Sequence, residues 1–375
     1  MAITKNDFIN ALNNPTYIRQ PICRISILDW DENVITTITD DIISCDITLN
    51  LQSNSRRNAT LTLKNNDLRY LPKYRNLIWL QNKIKIETGL QIGNDKWYET
   101  RGIFVISEVR TISKFSDLYA ELTLVDKYET LTGTIGGILG ADYIIPVGSN
   151  IESAVRTLFI TEANEVKMPI ISGVTGTTPY TITHTSEEPI SAILEELANI
   201  LSFNVYFDKF GNPRFESPTN QLTHYSIWDF DTNSINYLGS THYFKFSELK
   251  NTCIVISDNV GGSLYRSVVS DVNPFSSTRV SLIGDRRFEI KDNLIYSQPL
   301  NDQRCIYELQ KKIILQEEVT MECINNELIN EGDIITILDS NNGLIRDRYY
   351  VQSVNFSAFD KSNQSISAWK TRAIV

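Results

Sequence analysis

The chain has 375 residues, is 42% hydrophobic and 10% aromatic, and carries a formal net charge of −10. That length admits two or three domains with substantial cores, and the composition excludes extended disorder. The acidic balance argues against a nucleic-acid grip built on neutralised phosphates, but it suits nucleic acid that passes an acidic wall without adhering.

Met1-Ala2-Ile3-Thr4-Lys5-Asn6-Asp7 lacks the basic region and apolar run of a signal peptide, and no apolar stretch reaches membrane-spanning length. A soluble protein that is not exported by itself is expected. Asp7 to Leu12 reads as a short amphipathic helix ended by Asn13-Asn14-Pro15, too short to be stable alone, and is expected as a packed N-terminal arm. Ile22–Leu28 is a strand with Cys23, Ile25 and Ile27 on one face. Asp29-Trp30-Asp31-Glu32-Asn33 has the opening of a calcium loop. Val34 stands where that loop needs glycine and Asp40 where it needs glutamate, so a hairpin turn is expected. Further strands are Thr36–Thr39, Ile42–Leu51, Ala59–Leu63, Trp79–Glu87, Gly102–Val109 and Leu118–Leu124, the last alternating Leu118, Ala120, Leu122 and Leu124 on one face. A small antiparallel barrel or sandwich accommodates them.

Thr132 to Gly140 is a glycine-rich apolar connector without the Gly-Lys-Ser/Thr end or the G-x-G-x-x-G spacing of a phosphate loop, and reads as a mobile linker or contact loop. The chain then changes character. Asn150 caps a helix reaching about Phe159, and Ser186-Glu187-Glu188-Pro189 starts a second with an apolar stripe from Ile190 to Leu201. Phe203–Phe207, a turn at Asp208-Lys209-Phe210-Gly211-Asn212 and Arg214–Glu216 complete a compact α+β insert. Strands restart at Asn251–Ser257 and Val268–Val272. A helix from Asp302 to about Glu317 carries Cys305, Ile306, Leu309 and Ile313 and is expected to pack on a second β-region.

That second region, Val319 to Val354, reads as a meander whose parts resemble the first. Asn65-Asn66-Asp67-Leu68 matches Asn325-Asn326-Glu327-Leu328, Ile84–Ile86, followed by turn residues through Gly89, Gly93, Asn94 and Asp95, matches Ile334–Ile337, and the run FVISEV at Phe104 matches YYVQSV at Tyr349. Two readings stand: an internal duplication, or the general likeness of any two β-meanders. A final strand, Ser365–Trp369, alternates.

Chemistry is sparse. Cys23, Cys45, Cys253, Cys305 and Cys323 are odd in number, form no C-x-x-C pair and read as reduced core residues of a protein assembled in a reducing cytoplasm. His184, His224 and His242 have no partner at metal-ligand spacing. Glu187-Glu188, Glu195-Glu196 and Glu317-Glu318 read as helix-start or solvated charges. Asp285-Arg286-Arg287 and Arg346-Asp347-Arg348 suit ion-paired surfaces. No nucleophile elbow or local Cys/His couple is present. No catalytic, cofactor-binding or metal-ligating residue is nominated, no cofactor is expected, and a structural part is favoured over an enzyme.

The arm DFINALNNPTYIRQPICRISILD, the insert EEPISAILEELANILSFNVYFDKFGNPRFES and the close ELINEGDIITIL with RDRYYVQSV resemble, in that order, the baseplate hub proteins of long-tailed bacteriophages and related contractile injection particles, the bacteriocins among them. The resemblance runs from about Phe8 to Trp369 and lies in helix and hairpin patterns rather than in catalytic residues. It implies a mainly β fold with an α+β insert: two related antiparallel β-barrel tube domains flanking a smaller α+β domain. The expected division is an N-terminal arm over 1–20, a first barrel over 21–130, a linker and insert over 131–240, and a second barrel with one packed helix over 241–375. It implies a homotrimer whose two barrels per chain form a pseudo-sixfold ring with a central channel, joining the tail tube protein to a spike or tail-tip protein among other baseplate proteins. In a phage, DNA would pass through the lumen without specific binding. The location would be the virion tail baseplate, assembled in the bacterial host cytoplasm. No appended lysozyme or peptidase domain is recognisable. The alternatives are a tail-tip protein that degrades cell-wall or capsule glycans and one that binds them; Trp97-Tyr98 is the candidate binding place for the second, against edge-strand packing as its plainer role.

Overall fold

The computed structural model describes residues 4–14, 19–74, 76–115, 117–247, 249–258, 264–292, 295, 297–314, 317–358 and 363–371. In chain order, helix α1 (Lys5–Asn13) precedes β1 (Arg19–Leu28), β2 (Val34–Ile38), β3 (Ile42–Asn50), β4 (Arg57–Lys64), β5 (Lys83–Ile92), β6 (Asp95–Lys114) and β7 (Asp117–Asp126). A mixed region follows: β8 (Tyr143–Ile145), α2 (Ile151–Thr157), β9 (Ile170–Ser172), β10 (Ile182–His184), α3 (Ile190–Leu201), β11 (Asn204–Phe207) and β12 (Pro213–Glu216). Next come β13 (Trp228–Asp231), β14 (Tyr237–Phe244), β15 (Thr252–Asp258), β16 (Leu264–Ser270), α4 (Val280–Ile283), β17 (Arg287–Lys291) and α5 (Gln298–Ile314). The chain closes with β18 (Glu317–Ile324), β19 (Ile334–Asp339), β20 (Leu344–Ser357) and β21 (Asn363–Lys370). The fold is mainly β, and among the described residues no helix is long and apolar enough to cross a membrane.

One sheet carries both β-regions. Its neighbours run β14-β18-β21-β20-β3-β4-β7-β6-β5-β1-β2, with β19 beside β20 and β13 beside β19. Thus β3-β4-β7-β6-β5 in the first region has the same order as β14-β18-β21-β20-β19 in the second. Registers coincide as well. Leu61 faces Leu122 as Met321 faces Ile366. Ile84 faces Phe104 as Ile335 faces Tyr349. Cys45 faces Leu61 as Ser240 faces Met321. Even the bulges correspond: Ser107 of β6 and Gln352 of β20 drop out of the ladder at equivalent points, and so do Ile43 of β3 and Leu238 of β14. Under this alignment Asn65-Asn66-Asp67-Leu68 falls on Asn325-Asn326-Glu327-Leu328. A bulge adds one residue to one strand at a chosen place. Unrelated meanders have no reason to share two of them in matching registers, so the duplication reading holds. One pairing departs: β1 is antiparallel to β5, whereas β13 is parallel to β19.

Period-2 burial explains the sheet. β4 alternates buried Ala59, Leu61 and Leu63 with wet neighbours, and β18 does the same with Val319, Met321 and Cys323. These side chains join one continuous core that spans both β-regions. A second core belongs to the mixed region, where α3 buries Ile190, Ile193, Leu194 and Leu197 against Val155, Phe159 and Phe215. Asn150 caps α2 by accepting from the Ser153 amide at 2.9 Å.

Four expectations are corrected. First, Gly89 is not part of a turn. It lies in β5 opposite Tyr98, and a Cβ there would sit 1.7 Å from the Trp97 carbonyl oxygen; a strand glycine can mark close backbone approach rather than a bend. The strand accordingly runs Lys83–Ile92, not Trp79–Glu87, and the turn is Gly93-Asn94. Second, of the two readings of the 132–140 connector, the mobile linker gives way to the contact loop. The Leu139 amide donates to the Glu188 carbonyl and the Ile190 amide to the Gly137 carbonyl, and Gly137 packs on the Thr130 carbonyl at positive φ. Third, β13 and β14 belong to the second β-region, so a boundary at 240 cuts through β14. Fourth, β15, β16 and β17 form their own sheet, on which α5 packs Cys305, Leu309 and Ile313 against Cys253 and Val255. The helix serves this third core and not the second β-region.

Candidate functional site

What the chain builds most deliberately is the joint between its two β-regions. The second half of β20 leaves β19 and pairs antiparallel with β3, Ser353 to Ser357 facing Asn50 to Asp46. The outer bonds of this ladder run from the Leu51 amide to the Gln352 carbonyl and from the Ala358 amide to the Cys45 carbonyl, both 2.8 Å.

Charges are buried beside this seam. Arg57 on β4 donates to Glu331, in the turn before β19, and at 2.6 Å to the Phe207 carbonyl at the end of β11. Both members of the ion pair are almost wholly buried. One guanidinium therefore ties three parts of the fold. Arg101, fully buried in β6, donates to the Glu327 carbonyl at 2.6 Å and the Ile329 carbonyl at 3.2 Å, with its guanidinium 4.6 Å from the Phe356 ring centroid. Desolvation pushes three carboxyls up here: Glu327 to about 7, and Asp126 and Asp333 to about 6, the nearby arginines offsetting only part of the effect for the first two. A second buried cluster fastens the mixed region. Glu32 accepts from Lys83 at 3.2 Å, Lys127 at 2.5 Å and Lys167 at 2.6 Å, and Lys127 also reaches Glu165 at 2.7 Å. Its three lysine partners hold the Glu32 carboxyl below its ordinary value despite burial.

Where these parts meet lies a groove of about 1040 Å³, lined by Arg56, Ser202, Pro218, Ile306, Tyr350 and Trp369 among others. It is a seam between units, with α5 touching α3 through Arg304 and Asn199 at 3.2 Å.

The residues singled out from sequence find structural employment. Asp29 closes a hairpin turn by accepting from the Asn33 amide at 2.8 Å, and Glu32 of that loop is the hub of the lysine cluster. Trp97 stacks on Phe8 of α1 at 4.1 Å, and Tyr98 lies under the Arg24 guanidinium at 4.2 Å. Both aromatics are thus engaged within the chain, which is the edge-packing role. His184 sits between Glu188 at 2.9 Å and Glu196 at 2.8 Å; His242 meets Glu317 at 3.0 Å and Phe244 at 4.2 Å; the carbonyl of His224 accepts from Arg348. Glu195 accepts from Asn54 at 2.9 Å and Tyr128 at 2.8 Å, and Glu317 meets Lys370 at 2.9 Å. Glu195, Glu196 and Glu317 are internal struts rather than solvated charges, whereas Glu187 is exposed and Glu188 half-exposed just before α3, as their sequence suggests. All five cysteines are buried and free. Asp285 pairs with Arg287 at 2.6 Å, and Asp347 with Lys370 at 3.3 Å. Sequence reasoning missed Arg57, Arg101 and Glu331. Arg57 follows Arg56 at the start of β4 and Arg101 follows Glu99-Thr100 in β6, so no local pattern sets either apart.

No protein-family model matches the sequence, and no curated protein matches it. Solved structures do. A tail protein from Neisseria meningitidis superposes with a TM-score of 0.66 at 10% identity, over 94% of this chain and 97% of that one. A 43 kDa prophage tail protein from Shewanella oneidensis gives 0.63 at 14% identity, over 93% and 98%. The fold is that of phage and prophage tail proteins. A prophage tail protein from Listeria monocytogenes extends the set, with a TM-score of 0.58 at 14% identity over 92% and 94% of the two chains. Near-complete coverage in both directions means that the tail-protein fold includes the α+β region and the third core as well as the duplicated sheet.

Proposed function

We propose that this chain is a structural hub of a phage-type tail. Three copies form a ring of six quasi-equivalent barrels that joins the tail tube to a central spike or tail tip. The observation that carries the reading is the duplication with its internal joint: two β-regions with one strand order, shared bulges and a continuous sheet. A chain with two like units turns threefold assembly into approximate sixfold symmetry, which is the geometry needed to match a sixfold tube to a threefold spike. The tail-protein fold supports the setting. The net charge of −10 suits a channel through which DNA slides without adhering. The barrels are taken as residues 19–126 and, for the second, 228–244 with 317–370, the third core at 252–314 being an insertion between its strands. The role is mechanical: the charged side chains near the joint bind parts of the chain to one another.

Electron microscopy of the assembled particle with this chain tagged tests the proposal. Tag density on threefold positions around the tail axis, at the tube end, is expected; density at the periphery of the tail would overturn it. The glycan-binding alternative loses its best candidate, since Trp97 is stacked on Phe8.

A further inference from the structure

The duplication leaves two strand edges without the partner that their equivalents have. In the second β-region, Ser353–Ser357 of β20 has β21 on one side and β3 on the other. The matching stretch of β6, Glu108–Ile112, has β7 on one side, and among the described residues no strand pairs with its other side. Likewise β3 lies between β4 and β20, whereas its equivalent β14 pairs, among the described residues, with β18 alone and ends the sheet. One edge is missing a β14-type strand, and the other a β6-type strand.

Resting on the trimeric reading above, we infer that the free edge of β14 in one copy pairs antiparallel with the free edge of β6 in the next, in the register that β3 and β20 use within one chain. Transposing that register puts Lys245 opposite Glu108, Phe244 opposite Val109, Tyr243 opposite Arg110, and Thr241 opposite Ile112. Two independent observations support it. The first is exposure. Leu49 and Val354 are fully buried in the internal joint, yet Phe244, which stands where Leu49 stands, is 53% exposed, and Val109, which stands where Val354 stands, is half-buried. An exposed phenylalanine on an unpaired edge strand is a liability that a covering strand removes. The second is charge. The transposed register sets Lys245, which pairs with Glu318 in its own chain, against Glu108, and Arg110, which pairs with Glu121, against Tyr243, so that cross-copy contacts extend these ion pairs without opposing like charges. The contact is head-to-tail, so each copy offers one edge of each kind, and a repeated rotation closes it into a ring.

Engineered disulfides in the full-length chain test this. The equivalents of Tyr243 and Arg110 in the internal joint, Thr48 and Asn355, face each other between the hydrogen-bonded pairs of their ladder. Such residues have Cα atoms about 4.5 Å apart, within disulfide reach. A T48C/N355C chain serves as the control and should close within one molecule. A Y243C/R110C chain should, on mild oxidation, give covalent dimers and trimers on non-reducing gels, while Y243C/T111C, one residue out of register, should give several-fold less. Light scattering is run on the same samples. A trimer that forms but never cross-links at 243/110, although the control closes, overturns this strand pairing and leaves the hub reading standing. A protein that is monomeric throughout overturns both.

Discussion

Arg57 offers the sharpest perturbation because it joins three parts of the fold at once. Replacing it with Met keeps the aliphatic stem but orphans Glu331, whose side chain is 2% exposed, and takes the donor from the Phe207 carbonyl. Breaking one side of a buried pair costs roughly 3–5 kcal/mol, because a charge is left without compensation. The lost bond to a buried carbonyl adds about 1–3 kcal/mol. R57M should therefore lower unfolding free energy by about 4 kcal/mol or more. The double variant R57M/E331L removes the orphaned charge. Only the Phe207 carbonyl then remains unsatisfied, so about 1–3 kcal/mol of loss should remain. Urea unfolding of the wild type, both singles and the double closes the cycle, followed by tryptophan fluorescence and by near-UV circular dichroism to check that the probes coincide. If R57M lies within about 1 kcal/mol of the wild type, or the double is as unstable as the single, the buried pair is not what binds the three parts.

Further outcomes follow from other residues. G89A sets a Cβ against the Trp97 carbonyl at 1.7 Å, so β5 and β6 must separate; a fall in melting temperature well beyond that of G93A, whose Cβ meets no atom within 4 Å, is expected by calorimetry. F8A removes the ring that α1 stacks on Trp97. It should cost about 3 kcal/mol locally and make residues 4–14 the first site of limited proteolysis, with a shift in tryptophan emission. Glu327 gives a pH dependence. Its folded-state value, about 7, lies above its ordinary 4.5, so the folded state binds the proton more tightly than the unfolded chain. Its burial penalty is absent below about pH 4.5, and stability is lost as pH rises from there through about 7, on the order of 3 kcal/mol in all. Asp126 and Asp333, raised to about 6, act in the same direction. Urea midpoints should therefore fall between about pH 5 and pH 8, and E327Q should flatten that slope.

Much of the fold was legible because its signals are local. Asn65-Asn66-Asp67-Leu68 and Asn325-Asn326-Glu327-Leu328 align in space as they do in sequence, since both follow a strand whose burial alternates. Asn150 and Pro189 announce α2 and α3 because helix starts need a cap or tolerate a proline. What was not legible is set by contacts distant in sequence. Gly89 looks like a turn residue until Trp97 is laid against it. Trp228–Asp231 and Tyr237–Phe244 carry Asp, Ser and Gly among their aromatics, which masks the strand pattern; pairing with β19 and β18 makes them strands. The third core lies between β14 and β18, neighbours in space that residues 245–316 separate in the chain, and nothing in its own strands says which sheet they join. The joint is invisible for the same reason: Arg57 and Glu331 are far apart in sequence, and nothing local to either names the other as its partner.

Three chains closing a six-barrel ring would fix both the mass and the outline of the particle. The most direct measurement is the mass and projected shape of the purified protein at high concentration, by light scattering and negative-stain electron microscopy. A closed ring gives a particle three times the 42.8 kDa chain mass, seen end-on as an annulus with six lobes and an open centre. A stable monomer, or an oligomer without a central hole, would contradict it.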